Sequence, residues 1–251
     1  MNDDYTSAIT LKCKKNAGPV AVTIETERGA GGALSSKVGT KFSYAGFSVD
    51  KGQLKADGGR VLETSVVPCN GCKISFKANK GADLCVDYQT GNFLATGVLD
   101  VLDQSKVSAT ASYALPSGIA FGTGTDYSLA GKTGLSAYDV GVKYSKGPLL
   151  ASLTTSSKLS KYNVSFLYKV NNDITVASQT SLSSAKTCDN LAIGGMYNLN
   201  KYGVVKAKIG SNGVLCGAWI REVAPKVKVT ASGSVSTSDF SDYKTGLGIE
   251  I

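Results

Sequence analysis

Hydrophobic and polar residues alternate with a period of two from one end of the chain to the other. Val20-Ala-Val-Thr-Ile-Glu places Val20, Val22 and Ile24 on one side. Lys73-Ile-Ser-Phe-Lys sets Ile74 and Phe76 opposite Lys73, Ser75 and Lys77. Lys106-Val-Ser-Ala-Thr-Ala-Ser-Tyr, Lys161-Tyr-Asn-Val-Ser-Phe-Leu-Tyr and Lys226-Val-Lys-Val-Thr-Ala repeat the scheme. Successive side chains of a strand point to opposite faces, so each run predicts a strand with one apolar and one polar face. No stretch carries the 3.6-residue spacing of an amphipathic helix.

Turn residues divide these runs at short intervals: Asn16-Ala-Gly-Pro, Asn70-Gly71, Pro116-Ser-Gly, Lys146-Gly-Pro, Asn171-Asn-Asp, Asn212-Gly213 and Ala224-Pro225 among them. Asn-Gly predicts type I′ hairpins, in which both central residues take positive φ. The spacing yields nineteen strands of about ten residues, the length of a tilted membrane-crossing strand. No linker or low-complexity segment interrupts them. The expectation is an all-β meander of hairpins in one domain over residues 7–251, after a short tail at 1–6.

Alternation does not say which face is wet. A soluble β-sandwich or propeller would bury the apolar face, whereas a membrane barrel would turn it outward. Three features favour the barrel. No long repeat with a blade signature is present. Tyr44, Tyr88, Tyr113, Tyr127, Tyr144, Tyr168 and Tyr197 fall at strand ends, where an interfacial aromatic girdle belongs. The chain also stops inside a good strand, Tyr243-Lys-Thr-Gly-Leu-Gly-Ile-Glu-Ile251, which is best protected by pairing with the first. The expected architecture is therefore a transmembrane β-barrel of about nineteen strands, its first and last strands closing in parallel.

Composition narrows the chemistry. The 251 residues contain 29 Gly and 18% charged residues, and no run approaches the ~18 apolar residues of a transmembrane helix. Met1-Asn-Asp-Asp-Tyr lacks the basic start and apolar core of a secretory signal. Lys and Arg number 27 against 19 Asp and Glu, a net +8 with no histidine. Histidine-based acid–base catalysis, Ser-His-Asp triads and His-ligated metals are thereby excluded, and no enzyme, cofactor or metal is expected. The basic balance points to anionic partners. Six Cys without a secretory signal read as reduced thiols. Cys69-Asn-Gly-Cys72 lacks the βαβ setting of a redox motif and reads as two thiols flanking a turn.

The last strand carries a resemblance. Lys244-x-Gly246-x-x-Ile249-x-Ile251 resembles the β-signal of mitochondrial outer-membrane barrels, a polar residue, a glycine and two hydrophobics spaced by one. Tyr168-Lys-Val-Asn-Asn-Asp-Ile-Thr-Val-Ala, Ala207-Lys-Ile-Gly-Ser-Asn-Gly, Ala224-Pro-Lys-Val-Lys-Val-Thr-Ala-Ser and Gly246-Leu-Gly-Ile-Glu are similar, in order, to the mitochondrial porins or voltage-dependent anion channels. The resemblance spans most of the chain and is strongest from about residue 105 onward. It implies a multi-pass barrel of the mitochondrial outer membrane, partnered by membrane lipid and the import and assembly machinery, and not by nucleic acid. It implies a diffusion channel for small hydrophilic metabolites such as ATP, ADP, phosphate and organic anions. Gly71-Cys72-Lys73 stands where the family has Gly-Leu-Lys, which implies Lys73 as a nucleotide phosphate contact.

With the apolar parity facing lipid, the lumen receives Lys12, Lys14, Lys37, Lys41, Lys73, Lys77, Lys106 and Lys143. Further along it receives Lys161, Lys169, Lys206, Lys208, Arg221, Lys226, Lys228 and Lys244. Glu25, Glu63, Asp83, Asp87, Asp126, Asp139 and Glu250 share that side. Singly, each reads as a solvated side chain. Together, an excess of fixed positive charge raises the local anion concentration, within the ~8 Å reach that physiological salt allows. Lys51 is anomalous, because Phe47 and Val49 put it on the lipid side, and a slipped register or a snorkelling side chain is the expected resolution.

Two other functions remain in view. A protein-translocation pore would benefit from acidic tracks, which a basic lumen lacks. A barrel could also serve as a structural subunit of a larger mitochondrial membrane assembly. The resemblance has one departure: the family carries about twenty residues before its first strand, partly helical and lying in the lumen. Here six precede Ser7-Ala-Ile-Thr-Leu, too few for an independent helix. The expectation is a wider lumen and weak closure at moderate voltage.

Overall fold

The computed structural model describes residues 5, 7–29, 31–131, 133–183 and 186–251. It is built of strands β1 (Ile9–Ala17), β2 (Val20–Arg28), β3 (Leu34–Tyr44), β4 (Phe47–Lys55), β5 (Arg60–Cys69) and β6 (Cys72–Ala78). There follow β7 (Ala82–Thr90), β8 (Phe93–Asp100), β9 (Lys106–Ala114), β10 (Ile119–Ser128), β11 (Gly134–Lys146), β12 (Leu149–Ser156) and β13 (Lys161–Lys169). The last are β14 (Ile174–Ser183), β15 (Lys186–Asn198), β16 (Val204–Gly210), β17 (Val214–Ala224), β18 (Val227–Ser236) and β19 (Tyr243–Glu250). Each pairs antiparallel with its successor in one 19-stranded sheet, and β1 closes on β19 in parallel.

The seam is a full ladder. Ile9 stands opposite Leu247, Leu11 opposite Ile249 and Lys12 opposite Glu250. Lys14 donates its amide to the Ile251 carbonyl at 2.7 Å, and the Ile251 amide donates to the Lys12 carbonyl at 2.8 Å. Closure satisfies the backbone groups that a free edge would expose, which a bilayer core requires.

Only Val49, Cys85, Cys216 and Ala218 are buried apolar residues among those described, and no large side chain is fully buried. A soluble protein with this little core would not fold. The apolar residues instead form the outer wall: Phe121 is 48% exposed, Ile193 49% and Ile24 50%. So much exposed apolar surface demands a lipid solvent. A barrel of more than about sixteen strands is too wide for side chains to fill, so its interior holds water and takes the polar face.

The two ends differ. At one, six connections are two-residue turns, including Gly18-Pro19, Ala45-Gly46, Asn70-Gly71 and Gly147-Pro148. At the other, the connections are mostly longer, up to residues 237–242. Tyr44, Tyr88, Tyr113, Tyr144, Tyr168 and Tyr197 gather near the tight-turn end, whereas Tyr127 lies near the other. The Asn-Gly turns are not type I′, because Gly71 and Gly213 have positive φ but Asn70 and Asn212 do not. The pair of positive φ values falls at Ala45-Gly46. At Asn70-Gly71 the adjoining register shift between Val66 and Cys69, around Pro68, absorbs the strand twist instead. Gly71 is irreplaceable here: its φ is +81°, and a Cβ would lie 2.2 Å from the Gln89 carbonyl oxygen.

Candidate pore lining

Register across the sheet decides which side chains share the inner face. The row Lys12, Glu25, Lys37 runs across β1, β2 and β3, and Glu63, Lys77, Asp83 across β5, β6 and β7. By the same alternation Lys41, Lys73, Lys106, Lys143, Lys161, Lys169, Lys206, Lys208, Lys228 and Lys244 lie on that face. Gly246 is there too, while Ile249 and Ile251 point outward along the seam.

Three placements differ from those expected from the sequence. Arg221 belongs to the outer face with Leu215 and Trp219, opposite Val229. Its polar character suggested a luminal position, but β17 keeps unbroken alternation from Leu215 to Arg221 and turns it outward near the tight-turn end. Lys226 is not in the wall; it occupies the Pro225-Lys226 turn with φ +69°, and its amide donates to Glu222 Oε1 at 3.1 Å. Lys51 faces inward. A β-bulge between Val49 and Lys51 adds a residue, so Asp50 and Lys51 both turn to the lumen and Lys51 stands opposite Glu63. The slip that parity required is this bulge.

Charges on β1 to β10 are largely compensated. Glu25 lies 2.6 Å from Lys37 and 4.0 Å from Lys12. Lys14 pairs with Glu250 across the seam. Lys106 meets Asp126 at 2.8 Å. Asp50 accepts from Ser65 Oγ at 2.6 Å and from Lys73 Nζ at 3.1 Å. A phosphate at Lys73 would thus compete with a carboxylate already in place. These half-exposed pairs contribute about 0–1 kcal/mol each to stability, so their weight is in the field rather than in folding.

The opposite wall is different. β12, β13, β14 and β16 contain no acidic residue. Their inner face carries Lys161, Lys169, Lys206 and Lys208 among Ser152, Thr154, Asn163, Ser165, Gln179 and Ser181. Lysines are therefore spread around the lumen, whereas most strand carboxylates fall on β2 to β11, with Asp189 on β15, Glu222 on β17 and Glu250 on β19. This segregation was missed by a simple count of luminal charge; tabulating acids strand by strand would have found it.

Tyr5 is the described residue of the N-terminal tail; residues 1–4 and 6 lie outside the described set. Lys208 Nζ sits 4.8 Å from the centroid of the Tyr5 ring, a cation–π contact. Tyr5 thus reaches the inner face of β16. Cys13, Cys69, Cys72, Cys85 and Cys216 are free thiols, with Cys69 and Cys72 opposite each other across their hairpin. No group of three or more metal-ligating side chains occurs among the described residues.

The sequence matches the family described as eukaryotic porin over residues 1–246. Mitochondrial outer membrane protein porin 2 of Arabidopsis thaliana is 26% identical over 244 residues, covering 94% of this chain and 87% of that protein. Mitochondrial outer membrane protein porin of Candida albicans is 25% identical over 191 residues, covering 76% of this chain and 64% of its own. Among solved structures, a mutant of the Rhodopseudomonas blastica porin superposes with a TM-score of 0.52 at 12% identity, covering 97% of this chain and 96% of that one. That likeness is one of fold.

Proposed function

The chain belongs to the eukaryotic porin family, and from that premise we propose a diffusion channel of the mitochondrial outer membrane with a weak preference for anions. The observation that carries the reading is the closed barrel, whose polar face lines a water-filled interior while its apolar face meets lipid. Such a lumen passes small hydrophilic solutes without a binding step, because no hydrophobic constriction or plug is needed for its stability.

Anion preference rests on the carboxylate-poor wall. On β1 to β10 Lys12, Lys14, Lys37, Lys73 and Lys106 each lie beside a carboxylate, whereas β12, β13, β14 and β16 contribute lysines and no acidic residue. Small anionic metabolites, phosphate and nucleotides among them, gain local concentration along those strands. Screening over about 8 Å in physiological salt leaves the lumen centre nearly neutral, so the physics gives a preference and not exclusion. The β-signal-like residues Lys244, Gly246, Ile249 and Ile251 are proposed to be read by the assembly machinery before they form the seam.

Proteoliposomes test the reading. Purified protein should release entrapped small polar solutes, anionic and neutral, while retaining folded proteins. Vesicles that stay sealed to all of them would overturn the channel assignment.

A further inference from the structure

Arg28, Arg60 and Arg221 are the arginines of the chain, and none of them lines the lumen. On the outer face Arg28 stands opposite Ile9 and Leu34, Arg60 opposite Leu54, and Arg221 opposite Val229. Arg221 is the best defined. Its Nε is buried without a hydrogen-bond partner, and its guanidinium makes no ion pair among the described residues. A donor left unpaired on a lipid-facing wall calls for an acceptor from outside the chain. Gly203 leaves one flank open, since a Cβ there would lie 3.0 Å from the Arg221 Cβ. Neighbouring aromatics set the depth. Trp219, one step deeper on the same face, donates its indole N–H to the Tyr202 carbonyl at 2.9 Å, and Tyr197 shares its row. Tryptophan and tyrosine at a barrel rim sit at the headgroup level, so Arg221, nearer the turn, lies among the phosphates. Lys201 and Lys226 occupy the two adjacent connections at this end. Glu222 faces the lumen opposite Lys228, and β16 and β18 contain no acidic residue.

We infer that Arg221 anchors an anionic phospholipid on the outer wall. The planar guanidinium fork matches two oxygens of one phosphate, which a lysine ammonium does not. Charge decides between headgroups. With Arg221, Lys201 and Lys226 gathered here and no outward carboxylate on β16 to β18, the amine of a zwitterionic headgroup would meet only like charge. Deeper in the wall, Gly195, Ala207, Gly217 and Gly233 form a row of small residues across β15 to β18. It opens recesses of about 390 and 350 Å³, in which an acyl chain can lie. Lipid tails are as apolar as that surface, so the groove seats a chain without selecting it, and the headgroup carries the specificity. The site is on the outer wall and does not depend on the lumen conducting.

Trp219 is the single tryptophan of the chain and reports on this site directly. The full chain in phosphatidylcholine bilayers is titrated with phosphatidylglycerol or phosphatidylcholine carrying brominated acyl chains, which quench its fluorescence on contact. The anionic lipid should show an association constant about fivefold or more above that of the zwitterionic one. Arg221→Gln should lower the ratio to about twofold or less, Arg221→Lys should fall between, and Arg60→Gln, elsewhere on the outer face, should leave it unchanged. Inorganic phosphate added at equal ionic strength should not relieve the quenching. Equal quenching of the wild-type chain by both lipids would overturn the assignment, as would a preference that survives Arg221→Gln. A preference lowered equally by Arg60→Gln would mark diffuse attraction, and relief by inorganic phosphate a free-anion site, and either would overturn it too. Quenching is read without current, so a barrel sealed to solutes that kept the preference would contradict the channel and not the lipid site.

Discussion

A single extra residue at Asp50 reverses what alternation assigns to Lys51. Lys51→Glu and Lys77→Glu should both shift the reversal potential toward cations, and both should assemble normally. Were Lys51 in lipid, the variant would carry a buried charge costing about 2–4 kcal/mol at mid-bilayer and would assemble poorly. Arg221→Leu is the converse case, since an outward side chain near the tight-turn end should leave the reversal potential unchanged. Asp50→Asn should release Lys73 from its carboxylate partner. The shift is expected toward anions, with a stability loss of about 1 kcal/mol or less by denaturant titration in micelles. These placements show where the sequence falls short. Parity is read correctly wherever a strand is regular, as at Lys73, Lys161 or Lys206. It fails at Lys51 because a bulge leaves no mark in the alternation itself, and at Arg221 because residue polarity was allowed to outweigh position.

At the scale of the strand, most of the architecture was legible, because turn residues and alternation mark both ends of each element. The first turn signal, Asn16-Ala-Gly-Pro, falls where β1 ends and β2 begins. Turn type was less legible: Asn-Gly permits two positive φ values without requiring them, and the neighbouring Pro68 and bulge select another geometry. The final strand bears the heaviest structural duty, since β19 pairs with both β18 and β1. Removing residues 244–251 deletes the parallel ladder and the Lys14–Glu250 pair together. Import assays with isolated mitochondria should then show protein that reaches the organelle but remains extractable by carbonate. Gly246→Arg is expected to behave similarly, and carbonate-resistant insertion of both variants would contradict the role given to this strand.

For the whole molecule, the account turns on where fixed charge sits in a wide aqueous lumen. The sequence shows the excess of bases but not its arrangement, because ion pairing depends on which strands are neighbours. Register brings Glu25 to Lys37 and Asp126 to Lys106, and leaves β12, β13, β14 and β16 without an acid. The most direct measurement is the reversal potential of the purified channel in a planar bilayer under a potassium chloride gradient, repeated at rising mean salt. The account predicts a potential on the anion side that shrinks toward zero as the screening length falls to about 3 Å near 1 M salt. Cation preference in dilute salt, or an anion preference that does not diminish with salt, would contradict it.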